Sequence, residues 1–151
     1  QSELKARWLA AGNVEPRVGG SVELRFKHSD LSEADDPIPE KYKNMETEGE
    51  PSYDRVTVWQ PYKKLSYTWT EGPDEESLVT FELFPQKDSQ VLLVLTHERL
   101  GEDPEKLLSV SSGWHTHLQI LVDRLEEREP RGFWSMHTEN DKMYEQLIKT
   151  V

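Results

Sequence analysis

Between Tyr53 and Glu98 the chain passes through four strand-like runs with very little sequence between them, and this crowding limits the fold more than any other feature. The runs are Tyr53 to Gln60, Lys64 to Thr70, Ser77 to Phe84 and Gln90 to Glu98. Turn signals separate them at Gln60-Pro61, Gly72-Pro73 and Gln86-Lys87-Asp88-Ser89. The spacing predicts an antiparallel meander. Side chains alternate across a strand, so Leu65, Tyr67 and Trp69 share a face, as do Val79, Phe81 and Leu83, and Leu93, Leu95 and His97. One face of the sheet is therefore apolar and aromatic.

A further strand is expected from Gly19 to His28, with Val22, Leu24 and Phe26 on one side and Glu23, Arg25 and Lys27 on the other. Before it, residues 2 to 11 read as a short helix capped by Ser2, with Leu4 and Trp8 on one face and Gly12 at its end. From Ser29 to Pro51 no period survives in an acidic, proline-containing stretch. Long loops of this kind are solvated and variable, or else cover a binding site.

After the meander, a helix of about 20 residues begins near Pro104, which suits a first helical turn. Its apolar stripe is Trp114, His117, Leu118, Leu121, Val122 and Leu125, and Pro130 is expected to end it. The stripe is expected to lie across the sheet. A tail helix follows from Asn140 to Lys149, carrying Tyr144, Leu147 and Ile148.

At 151 residues the chain is long enough for one domain, 1 to 151, with a hydrophobic core of its own. It contains no cysteine, which excludes disulfides, thiolate metal sites and cysteine nucleophiles, and agrees with a cytoplasmic location. No run reaches the ~18 apolar residues of a membrane span, and Gln1 to Arg7 are too polar for a signal peptide. A formal net charge of −11 opposes binding to phosphate backbones, so no nucleic-acid partner is expected.

Several fragments, in order, carry a family resemblance: Ala6-Arg7-Trp8-Leu9, Val18-Gly19-Gly20, Leu65-Ser66-Tyr67-Thr68-Trp69, Val79-Thr80-Phe81-Glu82-Leu83, Leu95-Thr96-His97-Glu98, and Gly113-Trp114 with Leu118. The chain resembles the Hsp90-ATPase-activator-like branch of the Bet v 1-like, START-related superfamily over nearly its whole length. The resemblance implies an α+β helix-grip fold, a curved antiparallel sheet wrapped around a long C-terminal helix. That family opens with one more strand before the first helix. The expectation is that the protein extends upstream, with a partner chain, as in a homodimer, as the other source of that edge.

The resemblance and the aromatic face together imply a ligand cavity. Its apolar walls are expected from Phe26, Tyr67, Trp69, Phe81, Leu83, Leu93, Trp114, Leu118 and Leu121, with His97, His117 and the Tyr67 hydroxyl as polar groups. No metal or cofactor is expected. His115 and His117 stand roughly 200° apart around a helix, and His97 and Glu98 point to opposite faces of a strand, so no local dyad is expected. His97 with His117 remains the best acid–base pair. No G-x-S-x-G elbow or phosphate-binding glycine loop occurs, and the acidic runs Glu33 to Asp36 and Glu46 to Glu50 lack calcium-loop spacing and read as solvated charge.

Three functions follow. Binding of a small hydrophobic molecule, such as a lipid, a flavonoid or a polyketide-like compound, ranks first. A cavity enzyme of cyclase or hydrolase type ranks second, and an interaction module acting on a chaperone ATPase third.

Overall fold

The computed structural model describes residues 2–48, 52–71 and 76–150. The chain divides into two compact units: a helical one of residues Gln1–Ala11, Arg25–Glu50 and Glu102–Val151, and a sheet one of residues Gly12–Leu24 and Pro51–Gly101.

The sheet unit holds β1 (Ser21–Leu24), β2 (Ser52–Gln60), β3 (Lys64–Thr70), β4 (Glu76–Pro85) and β5 (Val91–Glu98), paired antiparallel in sequence order. The meander and its limits agree with the sequence pattern; the Gly72-Pro73 turn lies outside the described residues. Asp88 and Ser89 both take positive φ, 58° each, which reverses the chain tightly between β4 and β5. Register then lines up the apolar face: Tyr67 pairs with Val79 and Val79 with His97, Leu65 with Phe81 and Phe81 with Leu95, and Leu83 with Leu93. A bulge between Val56 and Val58 breaks the β2–β3 register, a device that bends a sheet.

The opposite face is a ladder of hydroxyls. Ser66 and Thr80 share a 2.6 Å hydrogen bond, and Asp54 accepts from the Thr68 hydroxyl at 3.0 Å, the Thr70 amide at 3.0 Å and the Thr70 hydroxyl at 2.9 Å. All of Ser66, Thr68 and Thr80 are buried, so this ladder satisfies polar groups that would otherwise be costly. β1 is shorter than the alternation predicts. Its pairing with β2 stops at Leu24, and Arg25 bridges Ala11 instead, so Phe26 leaves the strand. Gly12, at φ +100°, makes the preceding segment possible, because a Cβ there would strike the Glu23 carbonyl.

The helical unit holds α1 (Ser2–Ala6), α2 (Lys43–Glu48), α3 (Pro104–Leu125) and α4 (Phe133–Lys149), with short 3-10 turns at His28–Leu31 and Glu40–Tyr42. Among its described residues the predicted loop therefore contains three helical pieces, each too short to leave a period. α1 ends at Ala6, because the chain turns there and Lys5 Nζ bonds the Ala10 carbonyl at 2.5 Å. Asp103 caps α3 through the Glu105 amide at 3.0 Å. Its end precedes Pro130: Glu127 takes φ 56° and the Arg128 amide closes on the Asp123 carbonyl at 2.8 Å.

α4 starts seven residues before the predicted tail helix. Asp36, distant in sequence, supplies its cap, accepting from the Trp134 amide at 2.6 Å and the Ser135 amide at 3.1 Å. α4 packs on α3 and on the first 3-10 turn around Leu31, Ile120, Phe133, Trp134 and Met136, joined by Trp8, Ile38 and Tyr42. Each large side chain so buried contributes about 2 kcal/mol. The α3 stripe also differs from expectation. Val122 and Leu125 are 47% and 74% exposed, while Ser112, Thr116 and Ile120 are buried on a face where Asn140 Nδ2 donates to Thr116 Oγ1 at 2.9 Å. A stripe counted only in apolar residues misses such a face.

Candidate functional site

Six of the predicted ligand residues lie on the apolar face of the sheet. Tyr67 is buried, Trp69, Phe81, Leu93 and His97 are half-buried, and Leu83 is 38% exposed. The Tyr67 and Phe81 rings stack with centroids 6.2 Å apart, and the Trp69 and His97 rings lie 5.6 Å apart. Accessibility thus grows along the face, from Tyr67 and Val79 towards Leu83. At the β4–β5 tip, Phe84, Val91 and Leu92 are also exposed.

The polar chemistry of this face centres on Ser77. Its hydroxyl donates to the Trp69 carbonyl at 2.9 Å and lies 2.8 Å from His97 Nε2. A hydroxyl has one proton. With that proton on the Trp69 carbonyl, Ser77 Oγ accepts from His97, which fixes the Nε2–H tautomer. The pair is consequently not an activated nucleophile, since the base points its own proton at the serine. Burial pushes the Tyr67 phenol up, with the negative charge of Asp54 adding to it, so the hydroxyl stays neutral.

The other five predicted residues belong to the helical unit. Leu118 and Leu121 are half-buried on α3. Phe26, Trp114 and His117 enter a ring cluster that the sequence reading did not foresee. His117 stands 5.9 Å from Phe26, 6.3 Å from Trp114, 5.5 Å from His28 and 5.1 Å from Phe133, centroid to centroid. Its Nδ1 bonds the Trp8 carbonyl at 2.8 Å, so Nδ1 carries the proton. Burial, reinforced by the nearby His28 and His137, pushes this imidazole down to about 3. His97 thus bonds Ser77 within the sheet unit, and His117 bonds Trp8 within the helical unit.

Two further histidines stand beside carboxylates. His28 Nδ1 lies 3.5 Å from Glu46, and His137 Nδ1 lies 3.6 Å from Asp141. The second pair lies at i, i+4 on α4 but beyond hydrogen-bond reach, and the sequence hid that spacing because the predicted tail helix began only at Asn140. The first corrects the reading of Glu46 as solvated charge. Glu46 is buried and accepts from the His28 amide at 3.2 Å and the Ser29 amide at 2.7 Å. Burial raises its carboxyl, but the bonds from His28 and Ser29 outweigh that and hold it at about 2. Asp36 likewise serves as a helix cap. Among the described residues no group of three or more His, Asp or Glu is placed to hold a metal ion, and no helix is long and apolar enough to cross a membrane.

A family model described as Activator of Hsp90 ATPase homolog 1-like protein matches residues 1–126. Among solved structures, the protein encoded by gene BPP1335 of Bordetella parapertussis is 34% identical with a TM-score of 0.79, the match covering 97% of this chain and 74% of that one. CalU16 from Micromonospora echinospora is 17% identical with a TM-score of 0.64, over 97% of this chain and 80% of its own. MLL2253 from Mesorhizobium loti is 24% identical with a TM-score of 0.59, over 86% and 85% respectively. The last two likenesses bear on fold alone. No curated protein matches.

Proposed function

We propose that this chain, which belongs to the Activator of Hsp90 ATPase homolog 1-like family, binds a small hydrophobic or aromatic molecule through the apolar face of its sheet. The observation that carries this reading is the graded exposure along one face: a closed floor at Tyr67 and Val79 leads to accessible carbons at Phe81, Leu93 and Leu83. Ligand sites pair such apolar walls with a few oriented polar groups. Here His97, held in one tautomer by Ser77, is that group. The half-buried Phe81 ring, backed by Tyr67, favours a flat or chain-like apolar ligand, such as a flavonoid, a polyketide-like ring system or a lipid tail. Phe26, Trp114, Leu118 and Leu121 enter the reading through the family resemblance, and His117 less so, because its ring is engaged within the helical cluster.

The test is a thermal-shift screen with fatty acids, sterols and flavonoids, followed by tryptophan quenching. A ligand that binds only the folded state must raise Tm. Leu83→Asp, at an exposed position, is expected to weaken binding at least tenfold while leaving Tm of the free protein unchanged. Absence of any saturable hit, or equal affinity in Leu83→Asp, overturns the reading.

The family description supports a second reading, an interaction with a chaperone ATPase. Its measure is ATP hydrolysis by purified Hsp90 with and without the chain. A catalytic role finds little support, since the Ser77–His97 pair has its protons in the wrong places for nucleophilic attack.

A further inference from the structure

Within the helical unit, the segment from His28 to Glu48 is fastened to α3 and α4 by polar and ring contacts. His28 packs on His117, Phe133 and Trp134 at 5.5, 4.3 and 5.2 Å, and Tyr42 packs on Trp134 and His137, both at 5.1 Å. The carboxylate of Asp141 receives Lys41 Nζ and the Tyr42 hydroxyl, each at 3.1 Å. Asp36 caps α4, Ser32 Oγ donates to the Pro130 carbonyl at 2.8 Å, and Arg124 donates to the Leu31 carbonyl at 3.0 Å.

We propose that residues 28–48 form a proton-released strap, closed while the buried imidazoles of His117 and His137 are neutral and opening so that they can take up protons. The geometry around each ring gives the reason. His117, 5% exposed, has its Nδ1–H on the Trp8 carbonyl and faces His28 from the strap, His137 and Phe133 from α4, and Trp114 on its own helix. Among the described residues, none of its ring or hydrogen-bond partners is a carboxylate. His137, also 5% exposed, faces Asp141 on its own helix, Lys41, Tyr42 and His28 from the strap, and the rings of Phe133 and Trp134. Asp141 already neutralises Lys41, so a proton on His137 places a second cation on one carboxylate.

An imidazolium without a counter-charge is costly in a buried ring cluster, whereas water accepts it freely. In the open form both rings return to the ordinary imidazole range near 6.5. Protons therefore bind the open form preferentially: the strap is held above pH ~6.5 and loosens as pH falls, the opening equilibrium rising about tenfold per pH unit for each excluded proton. The carboxylates in the same contacts do not account for this window. Glu46 and Asp141 are both held below the ordinary carboxylate range and keep their charge throughout it.

The experiment is amide hydrogen exchange of the intact chain at pH 7.5, 6.5 and 5.5, corrected for the intrinsic pH dependence of exchange. Exchange in residues 28–48 is expected to rise about tenfold or more between pH 6.5 and 5.5, while amides of β3 and β4 keep their protection. Gln at both positions (His117→Gln with His137→Gln) should flatten this dependence. Ring C–H chemical shifts of the unaltered chain give a second measurement that needs no variant, with His117 and His137 expected to show no titration near pH 6.5 in the closed form. The proposal is overturned if strap exchange is flat from pH 7.5 to 5.5. It is equally overturned if the double variant keeps the full dependence, or if both rings titrate near 6.5 while the strap stays protected.

Discussion

His117 illustrates how a residue type acquires meaning only from its neighbours. In the sequence it is one member of an apolar helix stripe; in the fold it is a proton donor to the Trp8 carbonyl inside a ring cluster. Its depressed pKa makes folding pH-dependent with a definite sign. The folded imidazole resists a proton that the unfolded one accepts near 6.5, so stability is fully present above that pH and is lost as pH falls towards 3. By pH 4 the loss from this group is about 3 kcal/mol. Urea unfolding at pH 7 and pH 4 measures it, and His117→Gln is expected to reduce the difference. Glu46 acts in the same direction at lower pH, its contribution being present above 4.5 and lost as pH falls to about 2.

Asp54 presents the opposite case, a carboxylate held by three donors from Thr68 and Thr70. Asp54→Ala strips all three of their acceptor inside the sheet unit. The expected cost is about 2 kcal/mol, read from chemical unfolding at pH 7. Nothing local in the sequence marks Asp54, since its partners lie on another strand and a bulge sets which of them it reaches.

At the scale of elements, strands were easier to place than helix ends. β3 runs from Lys64 to Thr70 as the alternation predicts, because a two-residue period and its bounding turns lie within the segment itself. α4 was not so placed: its start depends on Asp36, which joins it only after the chain has folded back. Asp36→Ala is expected to cost about 1 kcal/mol, as loss of a helix cap does. Gly132→Ala should cost at least as much, since its Cβ would collide with the Asp36 carboxylate. Unfolding midpoints of the two variants check both, and near-additivity in the double variant would argue that they act on different contacts.

For the whole molecule, family and fold class agree with the sequence reading: an α+β chain of the helix-grip class with a five-stranded antiparallel sheet and a long C-terminal helical region. The ligand reading is tested at this scale, by the Tm shift and by Leu83→Asp. Of the residues proposed for it, the sheet members share one face, as the alternation predicts, because register between adjacent strands carries that face across the meander. Phe26 was misplaced because a strand can end where its alternation continues, once Arg25 finds Ala11 as its partner.

The meander, the long helix and the family follow from local signals, because turn residues, a two-residue period and a helical stripe are encoded within a few positions of one another. Long-range packing is what makes Asp36 cap a helix 98 positions away, buries Ser112 and Thr116 on one face, and gathers His28, His117 and His137 into one aromatic cluster. Those outcomes depend on which distant groups meet once water is excluded, and an unpaired polar group there costs enough to select its partner.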